Sequence, residues 1–165
     1  MQESMTLYDF HPEQEPREWS VVDDVVMGGR SNGAFYINDD GNGVFHGKIS
    51  LKNNGGFSSI RHRFPSKDIH AYRFFRIRLK GDGKKYQFRV RSLPRERHSY
   101  VAWFATTRQW QTVDIPIGEM VPRFRGMMLE REPYTGQYLS EIGFLIANGI
   151  AESFTLEIDT IYLTP

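Results

Sequence analysis

The sequence predicts an all-β protein, an antiparallel β-sandwich or jelly roll with few or no helices, and three observations predict it. Apolar and polar residues alternate through short runs, the two-residue period of a strand with one buried face. Gly, Asn, Asp and Pro turns punctuate those runs. No stretch sustains a 3.6-residue apolar period for three turns, and there is no strand–helix–strand rhythm and no repeat. The 165 residues, 39% hydrophobic and 25% charged, suffice for one domain with a sizeable core.

Residues 1–18 read as an N-terminal arm that packs on the body. Pro12 and Pro16 favour extended backbone there, and Leu7, Tyr8 and Phe10 supply apolar contacts. Residues 19–165 read as a single domain opened by Trp19. A strand is expected at 34–37, then an Asp39-Asp40-Gly41-Asn42-Gly43 turn with hairpin chemistry, then a strand at 44–51. The next strand, 57–64, is expected to end at Pro65. The cleanest alternation follows. Phe75, Ile77 and Leu79 oppose Arg76, Arg78 and Lys80, and Tyr86, Phe88 and Val90 oppose Gln87, Arg89 and Arg91. With Gly81-Asp82-Gly83 between them, these two segments are expected to form a hairpin with one basic outer face. Strands are expected at 100–105 and 110–115, an irregular stretch at 119–128, at most one helical turn in 129–138, and a fully buried strand at 142–147. The C-terminal strand beginning near Phe154 must pair with something early if the sheet edges are to be covered.

The net charge of +1 gives no global field toward nucleic acid or anionic membrane, so nucleic-acid binding is not expected and any basic patch is local. The absence of cysteine excludes disulfides and thiolate chemistry. The N-terminus has neither a signal-peptide nor a transit-peptide pattern, and no apolar run approaches the ~20 residues of a membrane helix. A cytoplasmic chain without membrane insertion is the expectation.

The most distinctive text is a pair of glycine loops. The first runs from Val21 through Asp23-Asp24 to Gly28-Gly29-Arg30-Ser31; the second is Asn53-Asn54-Gly55-Gly56-Phe57, followed by Ser59 and Arg61. Glycine pairs let a backbone approach another segment or a ligand closely. The loops are expected to meet at one end of the sandwich and form its recognition surface. The candidate binding residues in the first loop are Asp23, Asp24, Met27, Gly28, Gly29, Arg30 and Ser31. Those in the second are Asn53, Asn54, Gly55, Gly56, Phe57, Ser59 and Arg61. Arg91 and Trp103 join them from later strands.

The chemistry of these loops has bland readings beside the functional ones. Neither phosphate-loop spacing is present, and a strand follows the glycines, so a tight turn is favoured over nucleotide binding. Asp23 and Asp24 are candidates for calcium, but they serve equally as turn caps or as partners of Arg30 or Arg61. No other cofactor is expected. The histidines show no metal spacing, and although His46 and His62 could face each other across strands, a zinc site would need a third ligand. A triad of Ser58 or Ser59 with His62 and Asp24 can be drawn on paper without a G-x-S-x-G elbow; catalysis is not expected. Trp110 is assigned to the core and Trp103 to the surface.

Several segments, in order, resemble the complex I intermediate-associated protein 30 family. They are D-D-V-V-M-G-G-R-S (23–31), V-F-H-G-K-I-S-L (44–51), N-N-G-G-F-S-S-I-R (53–61), W-Q-T-V-D-I-P-I (110–117), I-G-F-L-I (142–146) and F-T-L-E-I-D-T-I (154–161). The resemblance implies a galactose-binding-like jelly roll of the free-standing bacterial kind. It also implies an assembly factor or chaperone whose partners are respiratory-complex subunits or assembly intermediates. Three functional readings follow: a non-catalytic module that recognises a protein partner through its end loops, a carbohydrate-binding module, and an uncharacterised enzyme.

Overall fold

The alternating segments form strands that pack as two antiparallel sheets. The computed structural model describes residues 3–13, 16–24, 28–124 and 127–165, without the side chains of Pro16 and Asn54. Among the described residues there are thirteen strands, a few 3-10 turns and no α-helix. The strands are β1 (Met5–Asp9), β2 (Ser20–Asp23), β3 (Asn32–Ile37), β4 (Gly43–Ile49), β5 (Ser58–Asp68), β6 (Phe74–Lys80), β7 (Lys85–Arg91), β8 (Ser99–Ala105), β9 (Trp110–Pro116), β10 (Val121–Phe124), β11 (Met127–Met128), β12 (Tyr138–Ile146) and β13 (Glu152–Thr164). One sheet has the order β3-β4-β13-β6-β9, with β1 also paired to β13; the other has the order β11-β10-β8-β7-β12-β5-β2.

Between the sheets lies a core built from the alternating positions. Phe45, Phe75, Ile77 and Leu79 of the six-stranded sheet and Phe88, Val90, Ile142 and Phe144 of the seven-stranded sheet are all fully buried. Each such side chain contributes about 1.5–3 kcal/mol of transfer free energy. The rings of Phe75 and Phe88 meet across the interior at 5.0 Å, and Phe45 meets Phe154 edge-on at 4.7 Å. The C-terminal strand pairs early, as edge protection requires: β13 runs beside β4 through its first half and beside β1 through its second. Residues 5–9 of the arm are thus a strand of the sheet, and Tyr8 and Phe10 are buried.

Four expectations are corrected. The segments 74–80 and 85–91 do not form a hairpin. β6 already has β13 and β9 as neighbours, whereas β7 lies between β8 and β12 in the other sheet. The Gly81–Gly83 link crosses between layers, anchored where Thr155 N–H donates to Asp82 Oδ2 at 2.8 Å. Second, β5 does not end at Pro65 but continues to Asp68. The register against β12 slips between Leu139 and Glu141, opposite Pro65, and such a bulge tolerates a residue without an N–H. Third, the stretch expected to be irregular at 119–128 carries β10 and β11 at the sheet edge, where Pro122 can pair without a full ladder. Fourth, Trp110 is half-buried on the outer face, under the Arg78 guanidinium at 5.0 Å, rather than in the core. The tryptophan in the interior is Trp19, which is 4% exposed and packs at the opposite, β3, edge of the six-stranded sheet.

A bulge also accounts for the C-terminal phase. Phe154, Leu156 and Ile158 point inward, and so do Ile161 and Leu163, which a strict two-residue period would turn outward. The register slips between Ile158 and Thr160, and the extra residue restores the apolar set to the core.

Candidate functional site

The two glycine loops do meet, and Asp24 is the reason. Its carboxylate is fully buried and accepts four hydrogen bonds from the facing loops. Ser31 N–H donates to Oδ1 at 2.9 Å, and the Ser31 hydroxyl donates to Oδ2 at 2.5 Å. Gly56 N–H and Phe57 N–H donate to Oδ2 at 2.6 and 3.3 Å. Asp23 repeats the device one residue earlier, accepting from Gly33 N–H at 2.9 Å and from the Ser58 hydroxyl. Burial alone would raise the Asp24 carboxyl, but the Ser31 hydroxyl and the N–H groups of Gly56, Ser31 and Phe57 outweigh it and hold the group below its ordinary range. The glycines make room for this carboxylate. A Cβ at Gly29 would stand 2.4 Å from Asp24 Cγ, and one at Gly55 would stand 2.5 Å from Oδ2. The turn-capping use of these aspartates is therefore the one the loops are built around, and it engages both oxygens of each carboxylate with protein donors. Gly28 and Arg30 are exposed beside the clasp, and Asn53 takes a left-handed φ of 56° at the tip of the second loop. Met27 lies outside the described residues, as does the Asn54 side chain.

The remaining candidates gather elsewhere, on the outer face of the seven-stranded sheet. Cross-strand register places side chains there in rows. Val22, Ser59, Leu145, Gln87 and Trp103 form one row. Ser20, Arg61, Gly143, Arg89, Val101 and Val121 form the next. Arg63, Glu141 and Arg91 form a third, with Ser99 and Arg123 paired further along the sheet. Among the described residues, Arg61, Arg63, Arg89, Arg91 and Arg123 thus share the face with Glu141. Arg63 Nε donates to Glu141 Oε1 at 2.7 Å, and Arg91 Nε lies 3.9 Å from Oε2. Arg123 sits over the exposed Trp103 ring at 5.2 Å. Arg89 Nε is buried without a hydrogen-bond acceptor. Burial, and then the charges of Arg61 and Arg123, push the Arg89 guanidinium down to about 10. Burial also lowers Arg61; Glu141 opposes the shift, while Arg63 and Arg91 add to it. A cleft of 280 Å³ bordered by Arg63, Phe64, Arg91 and Glu141 adjoins a smaller one between Arg61 and Arg89.

Of the residues singled out from sequence, Ser59, Arg61, Arg91 and Trp103 fall on this face. Arg63, Arg89, Arg123 and Glu141 were not singled out as site residues. The alternation of 59, 61 and 63 along β5, and of 87, 89 and 91 along β7, carried half of the signal. The other half, that β12 lies between those strands, is a long-range pairing that local periodicity does not contain. The single basic strip expected from Arg76, Arg78, Lys80, Arg89 and Arg91 is corrected, because the sandwich puts the two sets on opposite faces. On the six-stranded sheet Arg76 makes a two-pronged pair with Asp114 at 2.6 and 3.0 Å, and Arg78 pairs with Asp159 at 3.1 Å. A half-buried cation crowded by like charges, as Arg89 is, points to a site more than to a scaffold. Arg89→Met is expected to keep or raise the melting temperature, by ~3 °C. A thermal melt showing a drop of that size instead would mean that Arg89 holds the fold together.

The groups drawn as a triad are not assembled. Ser59 faces outward and donates to the Val22 carbonyl at 2.6 Å, while His62, of opposite parity on β5, stacks on Trp19 at 5.4 Å. Ser58 shares the inner parity of His62 but lies four residues away, about 13 Å along the strand. His46 and His62 sit in different sheets, His46 against Tyr36, so they are not cross-strand neighbours. Among the described residues no three His, Cys, Asp or Glu side chains are grouped to hold a metal, and no helix is long and apolar enough to cross a membrane.

Two face-packed antiparallel sheets make a jelly-roll sandwich, and solved carbohydrate-binding modules align with it over nearly the whole chain. The family 11 module from Clostridium thermocellum, in complex with a β-1,3-1,4-mixed-linked tetrasaccharide, aligns with a TM-score of 0.71 at 17% identity over 98% of this chain and 95% of that one. An agarase aligns with a TM-score of 0.64 at 13% identity, over 99% of this chain but 25% of the enzyme. At these identities the likeness is one of fold. Sequence carries the assignment further: the chain belongs to the Complex I intermediate-associated protein 30 (CIA30) family, whose model matches residues 8–158. The mouse protein named "Complex I intermediate-associated protein 30, mitochondrial" is 23% identical over 98% of this chain, which spans 56% of that relative's length.

Proposed function

We propose that this chain is a non-catalytic recognition module that docks on a protein partner, in the manner of an assembly or accessory factor. The docking surface is the arginine face of the seven-stranded sheet together with the glycine loops beside it. One observation carries the reading. Arg76 and Arg78 on the six-stranded sheet each have a carboxylate partner, whereas on the opposite face, among the described residues, Arg61, Arg63, Arg89 and Arg91 crowd around Glu141. Protein surfaces with such an imbalance steer and orient partners of opposite charge. The name of the mouse relative points to respiratory-complex subunits or their assembly intermediates as the partner class.

A carbohydrate reading has its own support in the exposed Trp103 ring flanked by Gln87, since sugar sites combine an aromatic face with planar polar groups. Affinity capture with the tagged chain in its native cell separates the two. The protein reading expects a partner that is captured by the wild type and by Arg76→Glu, and lost with Arg63→Glu/Arg91→Glu in a variant that melts normally. A blank capture, accompanied by a glycan-array signal that Trp103→Ala removes, would replace the protein reading with the carbohydrate one.

A further inference from the structure

We infer that the groove over Gly143 seats a carboxylate from an acidic, extended polypeptide segment, with Arg61 and Arg89 as its two walls. The inference rests on the docking reading above and names what that face takes.

The face contains its own precedent. In one row the register reads Arg63, Glu141, Arg91, and the Glu141 carboxylate lies between the two guanidinium groups, bonded to the first at 2.7 Å and 3.9 Å from the second. Two residues along the same strands the register reads Arg61, Gly143, Arg89. The arginines repeat on the same two strands, but the position between them carries no side chain. The floor there is bare backbone, and a Cβ at Gly143 would stand 2.5 Å from the Ile60 carbonyl oxygen, so position 143 itself cannot supply a second acid. The two walls rise from strands on either side of β12, about 9.6 Å apart at the backbone. That gap suits one planar acid group reached from both sides by guanidinium forks.

The charge argument agrees with the geometry. Arg89 Nε is a buried donor with no acceptor, and it lines the cleft shared with Arg61, Ser59, Ser99 and, at one side, Glu141, whose Oε1 is taken by Arg63. A buried donor left unmade costs free energy that an incoming acceptor recovers. The cleft is small, 20 Å³, and admits only the tip of an incoming group. The neighbouring row offers the exposed Trp103 and the half-buried Val22 as an apolar border, so alternate side chains of an extended segment would meet acid-binding and apolar positions in turn.

The test uses the full chain and a fluorescein-labelled, Glu-rich ten-residue peptide, read by anisotropy, with Arg Nε–H resonances followed by NMR. Inorganic phosphate and oligogalacturonate serve as competitors. The expected result is saturable binding that weakens with salt, shifts the Nε–H signals of Arg61 and Arg89, and loses about tenfold or more in Kd with Arg61→Gln and with Arg89→Gln, but not with Arg76→Gln. The NMR arm needs no variant, so a substitution that fails to fold leaves the test intact. Unmoved Arg61 and Arg89 signals at millimolar peptide would overturn the inference, as would variants that bind like the wild type. Oligogalacturonate binding more tightly than the peptide would overturn the polypeptide source, and phosphate displacing the peptide at equal concentration would overturn the carboxylate. If the peptide fails while the captured cellular partner still depends on Arg63 and Arg91, the docking reading stands and this inference alone falls.

Discussion

Asp24→Asn is expected to cost the fold about 3 kcal/mol and to lower the melting temperature by roughly 10 °C. The carboxylate is an acceptor on both oxygens, and its four donors come from Ser31, Gly56 and Phe57. An amide of the same shape keeps one acceptor and turns an NH2 group toward N–H donors that then lack partners in a buried site. The pH dependence follows from the depressed carboxyl. A group whose folded value lies below its unfolded value adds stability that is fully present above the unfolded value and is lost as pH falls through the folded one. The gap between wild type and Asp24→Asn should therefore be widest at neutral pH and should close below about pH 4. Melts at pH 7, 5 and 3 check this; a constant gap would show that the charge is irrelevant and that only shape matters.

The second large effect is expected from Trp19→Ala, at about 3–5 kcal/mol. The Trp19 ring stands within 5.3 and 5.6 Å of Tyr8 and Phe10 from the N-terminal segment, 5.9 Å of Phe35 from the six-stranded sheet, and 6.3 Å of Phe144 from the seven-stranded sheet. Removing it takes the shared wall from both layers and from the first strand together. Beyond a lower denaturation midpoint, amide exchange in β1 should accelerate more than exchange in β7. Equal protection of the two strands in the variant would show that β1 is held by its ladder with β13 and not by the aromatic cluster.

Much of this architecture was legible because it is local. Phe75, Ile77 and Leu79, and Tyr86, Phe88 and Val90, alternate without interruption, and every one is buried. The Asp-Asp and Gly-Gly text announced loops that needed close approach, and Asp24 supplies the contact. What failed was decided by partners distant in sequence. A Gly-Asp-Gly link suits a hairpin as well as a crossing between layers; the choice lay with β13 and β9, which already flank β6. Bulges opposite Pro65 and at Asp159 undid simple rules about proline and parity, because one extra residue in a strand leaves no trace in composition. The arginine face was half visible for the same reason. Arg61 and Arg91 could be named, but their convergence through Gly143 and Glu141 depends on β12 lying between them.

The position of β13 has a consequence for biogenesis. It forms the centre of its sheet, yet it follows every strand it joins in the order of synthesis. Until residues 138–146 and 152–164 have both left the ribosome, β5 and β7 in one sheet and β4 and β6 in the other lack the strand that joins them, so both sheets stay open together. Quality control acting on this protein has its natural checkpoint there, and a stalled or truncated message should yield half-built, self-adhesive product in place of a smaller stable domain.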